Sequence, residues 1–268
     1  MKKQFKIGVI GCNANAETVL RGVVLSDFIR EKKIIVSDKN EEALDKLNYL
    51  GVKTTTDNSF VARNCEYLIL SCSLKEFDEI AKSIEGIRPE KVISLIPSAT
   101  KSAIKNALGI GLIKVARCVL NPACAIGSGL IGIDMNDFNK STDDTDFITN
   151  IFGYTGTVVS VGEDKLDAIS TIGGNIVFPL MFIDGMVGAG VKLGLTKNEA
   201  QIIAVQTLLG AAEMVQRGEN SLDELLVQSC KNGNPAIEIV KVLQDGGLNK
   251  LIEGAADSCF KELNGRKL

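Results

Sequence analysis

The sequence predicts an α/β protein: an N-terminal doubly wound Rossmann sheet followed by an all-α domain. Up to about residue 120, short apolar runs alternate with helical segments, the pattern of βαβ units in a parallel sheet covered on both faces. After about residue 163, apolar residues recur at helical spacing and strand-like runs cease. We therefore predict two domains, 1–162 and 163–268.

The individual elements follow from these patterns. The predicted strands lie at 5–10, 33–38, 67–71, 91–96 and 112–120. The predicted helical segments of the second half lie at 164–192, 197–217, 221–230 and 235–263. Several of these segments, such as "GNIVFPLMFIDGMVGAG", are apolar nearly all round, and a domain this short has too little interior to bury them. We therefore expect a dimerisation domain that assembles a homodimer or a larger homo-oligomer.

Composition excludes several classes of function. The net charge is −3 without a basic cluster, so we expect no nucleic-acid partner. No apolar run appears long enough to span a membrane, and the N-terminal "FKIGVI" ends in a glycine turn rather than a signal peptide, so we predict a cytoplasmic protein. Histidine is absent, which excludes Ser-His-Asp catalysis, imidazole bases and histidine metal sites. We predict no metal site.

The cysteines form no C-x-x-C motif, so they are interpreted as reduced thiols that pack as small hydrophobic residues. A thiol-lined site is the alternative. The cysteines expected near strand ends facing a cleft are Cys12, Cys72, Cys118 and Cys124.

The stretch "GVIGCNANAETVLRG" at 8–22 raises the question of a cofactor turn. A dinucleotide turn reads G-x-G-x-x-G or G-x-G-x-x-A, and here Gly11 and Ala16 fit while Asn13 replaces the middle glycine. Asparagine tolerates positive φ, and the helix start at Ala14–Asn15 would offer free N–H groups to a phosphate. The motif indicates nucleotide binding. The alternative is a βα turn of a Rossmann-like scaffold that binds no nucleotide.

The end of the second strand bears on the choice of cofactor. Asp38 lies where a carboxylate would bond the adenosine ribose hydroxyls and favour NAD(H). Lys39 could instead meet a 2′-phosphate and favour NADP(H). The two signals oppose each other, and the choice between the two cofactors stays open.

Taken together, these segments resemble pyrroline-5-carboxylate reductase nearly end to end. The resemblance includes "IIVSDKNEEALDKLNYLGVKTTTDN", "FIDGMVGAGVKLGLTKNEA", "QTLLGAAEMVQRGEN" and "VLQDGGL". It implies hydride transfer from NAD(H) or NADP(H) to a small cyclic imino acid, as in proline biosynthesis. It also implies a helical domain that interleaves with a partner.

The chain departs from the family where the site lies. "SCSL" (71–74) replaces "AVKP", "IPSA" (96–99) replaces "AAGV", and "VLNPA" replaces "MPNTP". "GGNIVF" (173–178) replaces "GSGPAY", and "NGNPA" replaces "SPGGTT", so that Ala236 stands for a threonine, Asn234 for a glycine, and Gly233 is kept. The replacements are small or polar, which favours a rebuilt polar pocket. The alternative is a catalytically inactive member that binds a nucleotide or acts as a regulatory or interaction protein.

The site residues follow from the turn and the resemblance. The residues expected around the cofactor are Gly11, Cys12, Asn13, Ala14, Asn15, Asp38, Lys39, Asn58, Ser71, Cys72, Ser73 and Asn121. A protonated imine is more electrophilic, so a hydroxyl or carboxylate near the imine nitrogen would assist the reaction. The candidates at the substrate and for catalysis are Glu219, Asn175, Asn234, Ser170 and Thr171. For Glu219 the alternative is a solvated helix end, with Asn220 or Ser221 capping the next helix.

Overall fold

The computed structural model describes residues 3–109, 113–231 and 234–265. The chain divides into two compact units, of which the second comprises Ile176–Ser258 and the first comprises residues up to Asn175 together with the chain's last residues. This division lies within the segment that the sequence assigns to the second domain, and the domain boundary at 162/163 stays a prediction.

The first unit is built on an eight-stranded sheet with the order β3-β2-β1-β4-β5-β6-β7-β8. The strands are β1 Phe5–Ile10, β2 Ile34–Ser37, β3 Lys53–Thr55, β4 Cys65–Leu70, β5 Lys91–Ser94, β6 Lys114–Leu120, β7 Gly129–Asp134 and β8 Gly156–Ser160. Neighbouring strands from β3 to β6 are parallel. The predicted α/β fold with an N-terminal Rossmann sheet is confirmed.

The predicted strands pair parallel, and the sheet continues with β7, which pairs antiparallel with β6. The connection between them is the short 3₁₀ segment Pro122–Ile126, and a parallel crossover needs about a dozen residues or more. Strand β8 then pairs parallel with β7. The sequence reading also missed β3, β7 and β8, which lie at or near the sheet edges.

Helices cover both faces of this sheet. They are α1 Ala14–Leu25, α2 Glu41–Asp45, α3 Asn58–Asn64, α4 Leu74–Ser83, α5 Lys101–Ala107, α6 Thr142–Gly153 and α7 Leu166–Ile172. On one face Val19 and Leu20 of α1 and Ile151 of α6 are buried in one apolar cluster. On the other face Phe77 of α4 and Ile104 of α5 are buried in a second cluster. The central strands are therefore buried on both sides, which explains their continuous apolar runs.

The C-terminal helices are α8 Val177–Lys192, α9 Lys197–Arg217, α10 Leu222–Ser229, α11 Ala236–Asp245 and α12 Leu248–Gly265. Helix α9 has the predicted bounds. It starts at a capping box formed by Thr196 and Glu199, and it ends at Gly218, whose φ of 70° suits glycine.

Two of the predicted helical segments are broken in the structure. The segment 164–192 forms α7 and α8, separated at residues 173–176, and 235–263 forms α11 and α12. Gly247, with φ of 72°, lies at the second break, where the left-handed backbone ends a helix at low cost in glycine.

Helices α8 and α9 leave large apolar side chains exposed. Met181 of α8 is 66% exposed and Ile202 of α9 is 61% exposed, and buried apolar residues in α9 are limited to Ala200 and Ala204 among those described. An apolar surface of this extent on one chain is typical of an interface.

One part of this region meets the length and composition of a membrane span. Within the described residues, Glu163–Lys192 is such a stretch, so the expectation that no run is long and apolar enough was wrong on this criterion. The structure divides the stretch, however, and α8 with its 16 residues extends about 24 Å, less than the roughly 30 Å of a bilayer core.

Candidate functional site

The turn between β1 and α1 requires its first glycine. Gly11 has φ of 95°, and a Cβ there would lie 2.0 Å from the carbonyl oxygen of Ser71. Its own N–H donates to the carbonyl of Ser37 at 2.8 Å. Any side chain at this position would collide with the backbone that follows β4, so the turn brings β1 and β4 into close contact through glycine.

Asn13 forms the turn in a different way from the one the sequence suggests. Its φ of −89° and ψ of 177° are ordinary extended values, so tolerance of positive φ is not the reason for asparagine here. Asn13 is the N-cap of α1, and its Oδ1 accepts from the N–H groups of Asn15 at 3.1 Å and Ala16 at 3.2 Å. The expectation of a free N–H at Asn15 is therefore wrong, because that group already has an acceptor.

The same side chain also bonds Ser71, the residue that follows β4. Asn13 Oδ1 accepts from Ser71 Oγ at 2.6 Å, and Asn13 Nδ2 donates to the Ser71 carbonyl at 3.0 Å. The winding of the sheet reverses between β1 and β4, and ligands of doubly wound sheets bind in the crevice at that point. The Asn13–Ser71 pair spans this crevice.

The acidic residue after β2 is fixed against the same turn. Asp38 Oδ2 accepts from the N–H of Cys12 at 2.7 Å, and Oδ1 accepts from the N–H of Asn40 at 2.9 Å. Lys39 points its ammonium group to Glu79 of α4 at 3.0 Å, and both side chains are largely exposed. That hydrogen bond with Glu79 raises the pKa of Lys39.

These elements enclose a cleft of about 350 Å³ at the carboxyl ends of β1, β2 and β4. Asn58 joins it from α3, accepting from Ser37 Oγ at 2.7 Å and donating to Ser83 Oγ at 2.9 Å. The cleft brings together the predicted residues Gly11, Cys12, Asn13, Asp38, Lys39, Asn58, Ser71 and Cys72, and also Glu76 and Glu79, which the sequence reading missed.

The thiols of this cleft are held in the protonated form. Burial, with the nearby Asp38 carboxylate, raises the pKa of Cys12 to about 11, and its Sγ donates to the carbonyl of Ala43 at 3.1 Å. Burial likewise raises the pKa of Cys72 to about 12. Both thiols line the cleft, but since a thiolate is the reactive form, neither is poised as a nucleophile.

The remaining residues predicted around the cofactor lie outside the lining of this cleft. Ala14 opens helix α1, and Ser73 forms the capping box of α4 with Glu76. Asn121 follows β6, and its Oδ1 accepts from the N–H of Leu130, which ties β6 to β7. Asn15 lines a second cleft.

The second cleft, of about 220 Å³, lies at the ends of β5 and β6 and along α7. It is lined by Asn15, Ser98, Arg117 and Ser170, among others. Ser98 has φ of 62°, a left-handed conformation that a non-glycine residue adopts at a cost and that is more frequent at functional sites. The start of α1 therefore contributes to both clefts, through its N-cap Asn13 to one and through Asn15 to the other.

The other candidates near α7 are bonded to the helix backbone. Thr171 is buried, and its Oγ1 donates to the carbonyl of Asp167 at 2.8 Å. Asn175 donates from Nδ2 to the carbonyl of Thr171 at 3.2 Å. Of the three, Ser170 is the one that lines the second cleft.

The sequence reading also missed a group of buried charges beside this cleft. Arg117, in the middle of β6, pairs with Asp167 at 3.1 Å and with Glu163 at 3.6 Å. Lys101 at the start of α5 pairs with the buried Asp134 at 2.6 Å. The available signal was a charged residue inside an apolar strand, since such charges are seldom buried unless they are paired.

Two candidates belong to the second unit. Glu219 is exposed after α9, and Ser221 caps α10 together with Glu224, as the alternative reading of this segment expected. Asn234 closes a local turn, donating to the carbonyl of Ser229 at 2.8 Å and accepting from the N–H of Ala236 at 3.0 Å. Gly233, which the resemblance aligns with a conserved glycine, lies outside the described residues.

The fold and the first cleft define a dinucleotide-binding protein of the Rossmann class. Two family models match the chain: "NADP oxidoreductase coenzyme F420-dependent" over residues 6–97, and "Pyrroline-5-carboxylate reductase dimerisation" over residues 163–265. The second model supports assembly as a homo-oligomer.

Whole proteins match as well. The pyrroline-5-carboxylate reductase of Methanosarcina acetivorans is 28% identical over 91% of both chains, and that of Aquifex aeolicus is 24% identical over 90% of both. A solved pyrroline-5-carboxylate reductase from Coxiella burnetii has a TM-score of 0.90 with 24% identity and complete coverage of both chains. A pyrroline carboxylate reductase from Plasmodium falciparum, solved with NADP bound, has a TM-score of 0.82 with 18% identity over 99% of both chains. The chain is thus similar to pyrroline-5-carboxylate reductases over about nine-tenths of its length, and the dimerisation model of that family matches its C-terminal part.

Proposed function

We propose that the protein is an NAD(P)H-dependent reductase that acts on the C=N bond of a small cyclic imino acid. The main observation in support is the cleft at the β1–β4 crevice, which is lined by Gly11 and Asp38. The chain also matches named pyrroline-5-carboxylate reductases over about nine-tenths of its length. The nicotinamide, when bound, supplies the hydride.

The residues of the first unit fit a dinucleotide. A carboxylate has about four lone-pair sites, so Asp38 can accept from ribose hydroxyls while keeping its bonds to the N–H groups of Cys12 and Asn40. The backbone at Gly11 carries no side chain between the turn and the crevice. We assign the adenosine half to the first cleft and the nicotinamide half to the second, which the start of α1 links.

Around the C=N bond, the protein has to position the substrate and supply a proton. Ser170 provides a hydroxyl to the second cleft, and we assign it to the imine nitrogen or its bound water. Arg117 is held by Asp167 and Glu163, and it fixes the wall of that cleft. The roles of Glu219, Asn175 and Asn234 at the substrate stay predictions that rest on the family resemblance, and that of Thr171 stays a prediction from its hydroxyl group.

The segment that the resemblance aligns with the family's substrate loop differs from the family at residues 234–236. Pro235 has no N–H to donate, and Ala236 has no hydroxyl. Each hydrogen bond lost to a charged group costs about 1.5–3 kcal/mol, so two losses together lower efficiency by on the order of a thousandfold. We therefore expect pyrroline-5-carboxylate to be reduced poorly, or a related small imine to be preferred.

The test begins with binding and continues with turnover. Titration of NADH and of NADPH, followed by the fluorescence of the reduced nicotinamide, should show saturation with at least one of them; binding of neither at millimolar concentration would refute the proposal. Binding without turnover of any imine would favour the catalytically inactive alternative.

The substrate is then examined by steady-state kinetics on pyrroline-5-carboxylate, pyrroline-2-carboxylate and piperideine carboxylates. Ala236→Thr should raise kcat/KM for pyrroline-5-carboxylate about tenfold or more, since it restores a hydroxyl. Ala236→Val is the matched control, because valine has the shape of threonine without the hydroxyl. An equal effect of both variants, or ordinary reductase efficiency in the natural protein, would contradict the assigned role of this loop.

The finer aspects of assembly and location belong to the same proposal. We assign the homodimer contact to the exposed apolar faces of α8 and α9. A cytoplasmic location, and the absence of nucleic-acid and membrane partners, remain predictions from the sequence, including its net charge of −3.

A further inference from the structure

The Asn13 side chain accepts hydrogen bonds from two of the N–H groups that a cofactor turn would normally present to a phosphate. Its Oδ1 accepts from Asn15, Ala16 and the Ser71 hydroxyl. The N–H groups of Gly11 and Cys12 are bonded to Ser37 and Asp38. Among the described residues, the turn therefore keeps an N–H without a protein acceptor at Asn13 and at Ala14.

The side chain is also held in place. Asn13 Nδ2 donates to the Ser71 carbonyl at 3.0 Å, while Ser71 is almost completely buried and its own N–H is bonded to Ile10 at 2.9 Å. Two bonds thus tie the Asn13 amide to the rigid end of β4, and two more tie it to α1. The amide oxygen, which carries partial negative charge, lies at the helix start where a phosphate oxygen would bind.

We propose that the Asn13 side chain is an internal competitor for the pyrophosphate of the dinucleotide, locked in position by Ser71. This proposal rests on the proposed function, since it takes the first cleft as the cofactor site. A pyrophosphate that uses the N–H of Asn15 must displace Asn13 Oδ1, and binding at full strength therefore requires the amide to rotate away. Asn13 lowers the affinity for the phosphate-bearing part of the cofactor and leaves the adenosine end unaffected.

The decisive variant is Asn13→Gly, which opens the helix start and costs little as a cap, because glycine is itself an accepted N-cap. Binding of ADP-ribose and NADH should tighten by about threefold to tenfold, the factor that corresponds to one net hydrogen bond. Adenosine has no phosphate, so its affinity should not change. Ser71→Ala removes one bond to Asn13 Oδ1 and should give a smaller gain in the same direction.

Equilibrium titrations with the three ligands are made on the full chain, with thermal unfolding to verify that each variant folds. Ser141→Gly is the matched control, since Ser141 caps α6 with a bond to the N–H of Asp144 and does not line the cleft. If the natural protein binds neither NADH nor ADP-ribose, the proposed function itself fails. If it binds them and Asn13→Gly leaves their affinity unchanged or weaker, or tightens adenosine equally, the competitor role alone is overturned.

Discussion

The carboxylate of Asp38 is bonded at 2.7 Å to the backbone N–H of Cys12, so the residue that would contact the cofactor ribose is also part of the cofactor turn. The neighbouring Lys39 turns away from this carboxylate toward Glu79 at 3.0 Å. With Glu76 and Glu79 both in the cleft lining, a 2′-phosphate would meet more carboxylates than cations. From this arrangement we predict that NADH binds more tightly than NADPH.

Replacement of Glu79 tests this balance. Glu79→Gln removes one carboxylate and releases Lys39, so NADPH affinity relative to NADH should rise about twofold to fivefold, the range of an exposed ion pair. Parallel fluorescence titrations of the two cofactors measure the ratio. Glu85→Gln, an exposed position just beyond α4, is the control for a lost negative charge. If Glu79→Gln leaves the ratio of NADPH affinity to NADH affinity unchanged, Lys39 does not contribute to the choice of cofactor.

The Cys12 thiol should react slowly despite its place in the cleft. Its pKa of about 11 leaves far less thiolate at pH 8 than a free thiol has, so alkylation should be slower by about two orders of magnitude. Because burial raises the pKa, the labelling rate should keep increasing up to about pH 11. Iodoacetamide labelling with mass-spectrometric peptide mapping measures this rate, and unfolded protein provides the reference. Rapid labelling at neutral pH would show that the thiol is activated.

The pair formed by Lys101 and Asp134 should be critical for stability. Asp134 is fully buried and lies 2.6 Å from the Lys101 ammonium group. Lys101→Met leaves that carboxylate without its cation, and the free energy of unfolding should fall by about 3–5 kcal/mol. Urea unfolding at fixed protein concentration measures the loss.

Two further variants test whether the loss of stability in Lys101→Met comes from the broken ion pair. Lys101→Met combined with Asp134→Asn should recover part of the loss, because the buried charge is then gone. Lys82→Met changes an exposed lysine of α4 and should have little effect. Additive losses in the double variant would show that the two side chains do not stabilise each other.

The sequence predicted the Rossmann half well because its strands are buried on both faces and therefore apolar throughout, as in "KIGVI" and "YLILS". It predicted α9 with the correct bounds, since Thr196, Glu199 and Gly218 supply local start and stop signals. Strand β8 was missed because this edge strand is largely exposed. Strand β7 was missed because it follows β6 through a short 3₁₀ segment rather than through the helix of a βαβ unit.

The site was harder to predict because its geometry depends on contacts between distant segments. The position of Asn13 in the motif was clear, but its bonds to Ser71 arise from the neighbouring order of β1 and β4. The ion pairs of Arg117 with Glu163 and Asp167 likewise join segments about 50 residues apart. No local pattern in the sequence specifies such pairs.

The exposed apolar face of α8 and α9 gives the last prediction, which concerns assembly. Ile202 is 61% exposed on α9, and burial of such a side chain contributes about 1.5–3 kcal/mol. In a two-fold symmetric dimer each substitution acts twice, so Ile202→Glu should weaken dimerisation by at least about a hundredfold. Sedimentation velocity across a range of protein concentrations should find the natural protein as a dimer or larger and this variant shifted toward monomer. Gln201→Glu adds the same charge at the adjacent polar position of α9 and should leave the assembly intact. A natural protein that is monomeric at micromolar concentration would contradict the assignment of this face as the interface.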